Sequence, residues 1–379
     1  LIRTAFIIGI IFISGLNGIF GNTNLFSDSL FFTGKDSNAI IDFSREIADT
    51  EKMIEYLMKE YNVPGLSIVM IKANKIVYNR NFGVADIRDG SPVTDSTIFE
   101  ACSMSKPVFS YLAMKEIETG KLKLDKPVWA VFDDPAFMGQ ESRKKITPRM
   151  LLTHSSGLPN WREGEDEENG YLPVEFEPGS RYSYSGEGMY YLQKVVEKLR
   201  GESLDSFSRK NLFEPFGMKH SGFIHIPEIE NNLAAGHDTS GNFLLKTSYS
   251  RANAGYTLYC SALDYAGFLI EMMDRSSSTE FTLAPAWKDS MLTRQIAAES
   301  REPVERPGNF SGIRVFRGLG WVIDSTKFGD IFYHSGANSS GFRCYSQFNQ
   351  KAGTGLVIMM NGMGGTQLWP ELIRKTGKL

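Results

Sequence analysis

Apolar and polar positions divide this chain into a short apolar leader, a β-patterned start, a helical middle and a β-patterned end. Arg3 precedes the run Ala5-Phe6-Ile7-Ile8-Gly9-Ile10-Ile11-Phe12-Ile13-Ser14. A basic residue followed by a short apolar run reads as a secretory signal peptide, and the run falls short of the ~20 residues that cross a bilayer. Residues 1–21 are therefore expected to be a signal peptide, cut after Gly18 or Gly21, with an uncleaved anchor as the alternative. Residues 22–42, polar with scattered Phe, read as a tether. Apolar spacing from Ile41 to Tyr61 predicts a helix, which Pro64-Gly65 ends. Gly65 to Lys72 and Lys75 to Gly83 predict two strands of a hairpin around an Ala73-Asn74 turn.

The next helical pattern begins at Ser103 and runs to Thr119, with Gly120 as its stop. Pro107 lies in its first turns, where a missing N–H is tolerated. From about 130 to 300 the pattern is longer-looped and mostly helical. Leu192, Val195, Val196 and Leu199 share one helix face there, and Gly201 follows. Strand patterns return at Leu319 to Ile323, Asp330 to His334, Phe342 to Phe348 and Thr354 to Met360. Strands at both ends around a helical middle predict an α/β (α+β) fold: an antiparallel sheet from both chain ends, flanked by helices, with an inserted helical lobe. The expected catalytic domain is 43–379. Its α/β lobe is 43–130 with 301–379, and its helical lobe is 131–300.

Composition changes this picture little. The 379 residues suffice for a large core, and the net charge of −3 gives no general attraction to nucleic acid or to an anionic membrane. Cys102, Cys260 and Cys344 lie in apolar contexts and read as small buried residues, not as a disulfide framework or a metal site. His220, His225 and His237 lack metal-ligand spacing, so no metal or cofactor is expected. The acidic run Glu163 to Glu168 reads as a solvated loop.

The candidate chemistry starts at Ser103-Met104-Ser105-Lys106. A serine and a lysine three residues apart share one face of a helical turn. A lysine held there away from water can lose its proton and activate the serine. A helix N-terminus also places N–H groups and positive dipole beside a developing oxyanion. Ser142-Arg143-Lys144-Lys145 has the same spacing, but it lies in a charged stretch where the lysine would keep a pKa near ~10.4 and could not act as a base. A second candidate is Tyr184, in Tyr182-Ser183-Tyr184-Ser185-Gly186. A phenol near a cationic lysine can shuttle a proton, although a tyrosine alone is more often a packing residue. The third is His334-Ser335-Gly336-Ala337 at a strand end, where Gly336 permits close backbone approach to a ligand. Taken alone, His334 is more often structural.

These elements come in a particular order, with Leu151-Leu152-Thr153-His154-Ser155-Ser156-Gly157-Leu158-Pro159 between the first two. Together they resemble the serine β-lactamase and penicillin-binding-protein family, in its class-C-like branch with family VIII carboxylesterases and D-stereospecific peptidases. The resemblance runs from about residue 47 to 370 and implies a β-lactamase/transpeptidase-like fold. It implies Ser103 as the acylated nucleophile, Lys106 as its proton partner and Tyr184 as the base for leaving-group protonation and water activation. It also implies an oxyanion hole from the N–H groups of Ser103 and Ala337, with His334 and Gly336 at the substrate. His154 belongs to a segment that reads as structural. Two positions depart from the family pattern. Gly186 stands where Tyr-x-Asn has its asparagine, and His334 stands where the third motif often has lysine. The first removes a hydrogen bond to an amide-bearing substrate, and the second weakens binding of a carboxylate.

The expected function is thus that of a secreted or periplasmic serine hydrolase cleaving carboxylic esters or small acyl amides. A class-C-like β-lactamase, a D-Ala-D-Ala carboxypeptidase and a D-aminopeptidase are the alternatives within the family. A slow-acylating penicillin-binding or sensing module is the alternative of another class, and a scaffold that does not acylate is the third reading. The expected partner is a small ester, amide or peptide substrate, with no nucleic acid, and no membrane beyond the N-terminal anchor alternative.

Overall fold

The structure, a computed structural model, describes residues 37–276, 278–298, 314–326 and 329–376. The expected signal peptide and most of the expected tether lie outside these residues. The first helix spans Ser37–Glu60, beginning before the Ile41 start that its sequence pattern suggests. Its first turns occupy the end of the expected tether, where no Gly or Pro interrupts the chain. No helix among the described residues is long and apolar enough to cross a membrane.

Nine strands form the main sheet. In order across it they are Ser91–Pro92, Lys75–Asp86, Gly65–Lys72, Thr354–Met360, Arg343–Asn349, Gly329–Ala337, Val322–Thr326, Arg314–Arg317 and Ile296–Ala297. Every neighbouring pair is antiparallel. The first and last strands of the described chain pair within the sheet, Leu66 with Met360 and Ile68 with Ile358. Ala73 and Asn74, both with positive φ (49° and 57°), turn the first hairpin. Two consecutive left-handed residues match the right-handed twist of the strands they join.

The Gly65–Lys72 strand is buried on both faces, so apart from Ser67 its core run is apolar rather than alternating. Leu66, Ile68 and Met70 face a core completed by Ile54 and Leu57 of the first helix and by Leu368, Trp369 and Leu372 of the last, Gly365–Thr376. Val69 and Ile71 belong to the opposite and larger core. That core holds Val108, Phe109 and Leu112 of the Ser105–Glu118 helix and Phe268, Leu269 and Met272 of the Ala262–Met273 helix. Most of the Ser105–Glu118 helix is buried.

The sequence pattern misplaces one strand and misses others. Leu319-Gly320-Trp321 forms a turn in which Gly320 has φ +87°, so the predicted Leu319–Ile323 strand begins instead at Val322. The middle of the chain also supplies Leu258–Cys260, which pairs antiparallel with Phe99–Cys102, and Ile296–Ala297 at the sheet edge. The acidic run forms a single exposed helical turn, Glu165–Glu168. The three cysteines are free and buried, as their apolar contexts predict.

Candidate active site

The candidate nucleophile stands at a forced change of direction. The Phe99–Cys102 strand ends at Cys102 in the left-handed region (φ +52°), and the helix starts at Ser105. A non-glycine residue there costs ~1–2 kcal/mol, and the surrounding core over-determines it. The Cys102 side chain is fully buried, and Ser105 Oγ donates to Cys102 O at 2.6 Å. Ser103 therefore lies in the turn before the helix, half-buried, while the Lys106 N–H bonds back to Ser103 O at 3.1 Å. The single turn puts Lys106 Nζ 3.1 Å from Ser103 Oγ. The same Nζ donates to Gly255 O at 2.7 Å, and the lysine is fully buried.

Tyr184 arrives from the loop before the Gly186–Arg200 helix. Its ring centre lies 4.7 Å from Lys106 Nζ. Its other neighbours are His154, with ring centroids 4.5 Å apart, and His334, at 6.3 Å. The guanidinium of Arg317 is 5.5 Å from the Tyr184 ring and 4.8 Å from that of Tyr182, to whose hydroxyl it also donates. His154 has φ +55°, and its Nδ1 accepts from the Ser185 N–H at 3.1 Å. With the Ser183 N–H donating to His154 O at 2.8 Å, this fixes the loop on either side of the tyrosine. Such a bond requires an unprotonated Nδ1 and places the proton of a neutral ring on Nε2.

Both histidine rings favour the neutral form. Burial pushes the pKa of each well below 6.5, and the positive charges of Lys106 and Arg317 push it further. His334 lies inside the Gly329–Ala337 strand, not at its end, with Nδ1 2.7 Å from Ser335 O.

Gly336 brings that strand against the nucleophile turn, since a Cβ at this position would sit 2.3 Å from Ala101 O. Ala337 follows at the strand end and is exposed. Beyond it, Asn338 donates to Glu100 Oε2 at 3.2 Å, a carboxylate oxygen that also accepts from Tyr249 Oη and Ser340 Oγ, both at 2.8 Å. Glu100 thus ties the strand that leads to Ser103 to the segment that follows Ala337. The rival Ser142 lies in a short 3-10 turn, and its Lys145 is exposed and paired with Glu177 at 2.7 Å. No cluster able to hold a metal occurs among the described residues.

The β-lactamase family model matches residues 50–377. The chain belongs to the β-lactamase family. A β-lactamase of Pseudomonas fluorescens is 23% identical over 84% of this chain and 93% of its own length. Esterase EstB of Burkholderia gladioli is 27% identical over 52% of this chain and 56% of its own. Among solved structures, an octameric penicillin-binding protein homologue from Pyrococcus abyssi superposes with TM-score 0.72 and 26% identity. The match covers 86% of this chain and 76% of the homologue. A class C β-lactamase superposes at 0.71 with 20% identity, covering 87% and 98%. The expected fold, a β-lactamase/transpeptidase-like α/β arrangement, and the serine hydrolase class are thereby established.

Within this family fold, the site contains residues that the sequence motifs do not mark. Gly255 supplies the carbonyl that holds Lys106, and Arg317 supplies a buried cation beside Tyr184. Trp161 packs on Gly186. Gly255 and Arg317 come from segments far away in sequence, and Trp161 lies just beyond the Leu151–Pro159 segment but outside any motif, so neither spacing nor local pattern pointed to them.

Proposed function

We propose that this β-lactamase-family hydrolase works through an acyl-enzyme on Ser103 and cleaves carboxylic esters or small neutral acyl amides. The observation that carries the reading is the buried Lys106 amine, 3.1 Å from Ser103 Oγ and 4.7 Å from the Tyr184 ring. Ser103 Oγ attacks the substrate carbonyl carbon, and its proton passes to the Lys106–Tyr184 pair, which enters the step one proton short of ammonium plus phenol. Tyr184 returns that proton to the leaving alkoxide or amine as the carbonyl–heteroatom bond breaks. Water then attacks the acyl-enzyme and gives a proton to the same pair, Ser103 Oγ is reprotonated, and the acid leaves. The N–H groups of Ser103 and Ala337 bind the oxyanion. Lys106 and Arg317 stabilise the negative charge that develops on the phenol oxygen during transfer.

The preference for neutral substrates rests on His334 and Gly186. A neutral, buried imidazole offers no cation to a carboxylate, and Gly186 offers no side-chain amide. The β-lactamase and D-alanine carboxypeptidase names among the relatives and structural neighbours support the competing substrate classes. The basic-then-apolar start, Arg3 to Ser14, supports secretion or a periplasmic location.

The test compares wild type, Ser103→Ala and Lys106→Met on p-nitrophenyl butyrate, nitrocefin and a D-amino-acid amide. Wild type should show burst kinetics on the ester and a lower kcat/KM on nitrocefin. Ser103→Ala should abolish turnover, and Lys106→Met should lower kcat/KM by ~10²–10⁴. Full activity in Ser103→Ala would overturn the mechanism. A stable penicillin adduct without ester or amide turnover would make the chain a sensing module instead.

A further inference from the structure

Gly186, where the family pattern has asparagine, is occupied space. A Cβ built at Gly186 would lie 2.4 Å from both Cη2 and Cζ2 of Trp161, and 2.8 Å from Asn160 O. The indole fills the volume that a side chain at 186 would use. The same ring edge covers Gly255, whose Cβ would lie 2.8 Å from Trp161 Cη2. Gly255 O is the acceptor for Lys106 Nζ at 2.7 Å. One indole therefore packs on the backbone two residues past Tyr184 and on the glycine whose carbonyl holds Lys106.

The position of this ring is built rather than incidental. Asn160 O accepts from the N–H groups of Gly186 at 3.0 Å and Glu187 at 2.9 Å, and Asn160 Oδ1 accepts from the Gly186 N–H at 3.1 Å. Arg162 Nε donates to Glu187 Oε1 at 3.0 Å, with that carboxylate largely buried. Trp161 is thus clamped on both sides to the start of the Gly186–Arg200 helix. Its ring meets Tyr256 edge to face, with centroids 5.4 Å apart at 89°. Tyr256 in turn meets Tyr249 at 5.4 Å. Although clamped and packed, Trp161 remains 36% exposed.

We infer that Trp161, backed by Tyr256, is the acyl-specificity residue of this enzyme, forming an aromatic wall for an apolar and preferably aromatic acyl group. The inference rests on the acyl-enzyme reading above and names its substrate class. An aromatic face packed on Gly255, whose carbonyl holds the Lys106 that reaches Ser103, rewards burial of apolar surface and edge-to-face contact. It supplies none of the carbonyl-type acceptor and amide donor pairing that an asparagine would give an acyl-amide.

The experiment measures kcat/KM for p-nitrophenyl phenylacetate and p-nitrophenyl acetate, with Ser103 titrated by burst amplitude to count active molecules. Wild type should prefer the phenylacetyl ester, and Trp161→Ala should reduce the phenylacetate-to-acetate ratio by about 10-fold or more, the range for filling an apolar pocket. Trp161→Phe should retain most of that ratio and guards against a folding defect in the alanine variant. In Trp161→Ala/Gly186→Asn, which removes the ring and restores the side chain, the ratio of amide to phenylacetyl ester turnover should rise. A ratio unchanged in Trp161→Ala, or equally lost in Trp161→Phe, overturns the specificity role while leaving the hydrolase reading intact. No acylation of wild-type Ser103 by either ester overturns the hydrolase reading and this inference with it.

Discussion

His154 and His334 tie the stability of the fold to pH in a way that can be calculated. Both rings are buried, and burial together with Lys106 and Arg317 keeps the pKa of each well below 6.5 in the fold. In the unfolded chain each returns to ~6.5. Above that pH both states carry neutral rings and the difference vanishes. Below it the unfolded chain binds protons that the native chain excludes, so stability falls as pH falls. Between pH 7.5 and 5.5 each ring that stays neutral in the fold removes about 1.4 kcal/mol, roughly 2.8 kcal/mol for the pair. The window excludes most carboxylate effects. Glu202, held down to about 2 by Lys210 and Arg200, loses its contribution only below its unfolded value of 4.5. His237, pushed below 6.5 chiefly by burial, adds a background that cancels in comparison.

Urea unfolding at the two pH values, in wild type, His154→Gln and His334→Gln, reads the effect. Each variant should cut the loss between pH 7.5 and 5.5 by about 1.4 kcal/mol, whatever its absolute stability. NMR of ¹³C-labelled histidine should show that the ring signals removed by His154→Gln and His334→Gln do not titrate down to pH 5.5. An equal loss in wild type and both variants, or titration of either of those two signals near 6.5, would refute the assignment of neutral buried rings.

Gly336→Ala should lower kcat/KM by ~10² or more, the effect of displacing an oxyanion donor, because the new Cβ would lie 2.3 Å from Ala101 O; ester kinetics on burst-titrated enzyme reads this. Arg317→Met should raise the pKa of His154 and His334, since its charge helps depress both, and the same labelled-histidine titration reports the direction. Lys288→Met should destabilise the fold by about 3–5 kcal/mol, the cost of breaking a buried pair, because Lys288 Nζ sits 2.5 Å from buried Glu271; denaturant unfolding at pH 7.5 measures it.

What the sequence made legible follows from the range of the forces involved. The Ala73-Asn74 hairpin turn, the Gly201 helix stop and the Ser103–Lys106 turn are set by neighbours in the chain, and the structure has all three. The Leu319–Ile323 strand failed because an apolar pattern cannot show that Gly320 turns the chain with φ +87°. Leu258–Cys260 and Ile296–Ala297 are too short to carry a period, and they become strands only by pairing with distant partners. The site divides the same way. Ser103, Lys106 and Tyr184 sit in recognisable motifs, whereas Gly255, Arg317 and Trp161 matter through packing between segments. His334 was legible as a residue but not in its state, because burial and two distant cations determine its charge.

The two departures from the family pattern are each accompanied by a compensating group from elsewhere in the chain, and the compensation is selective. At 186 the lost side chain is replaced by the Trp161 ring, which fills the volume but not the hydrogen bonds. At 334 the lost cation has a counterpart in Arg317, which lies against Tyr184 from the Arg314–Arg317 strand. Arg317 is only 3% exposed and turned onto the Tyr182 and Tyr184 rings. A charge placed there acts strongly on the tyrosine through a low-dielectric interior. Reaching a substrate carboxylate would require it to leave those rings. On the proposed mechanism, Arg317 thus keeps its charge beside Tyr184 rather than presenting it to a substrate. On the proposed reading, the Trp161 ring and the neutral His334 together would favour neutral, apolar acyl groups over carboxylate-bearing amides, and both positions would have to change to reverse that preference.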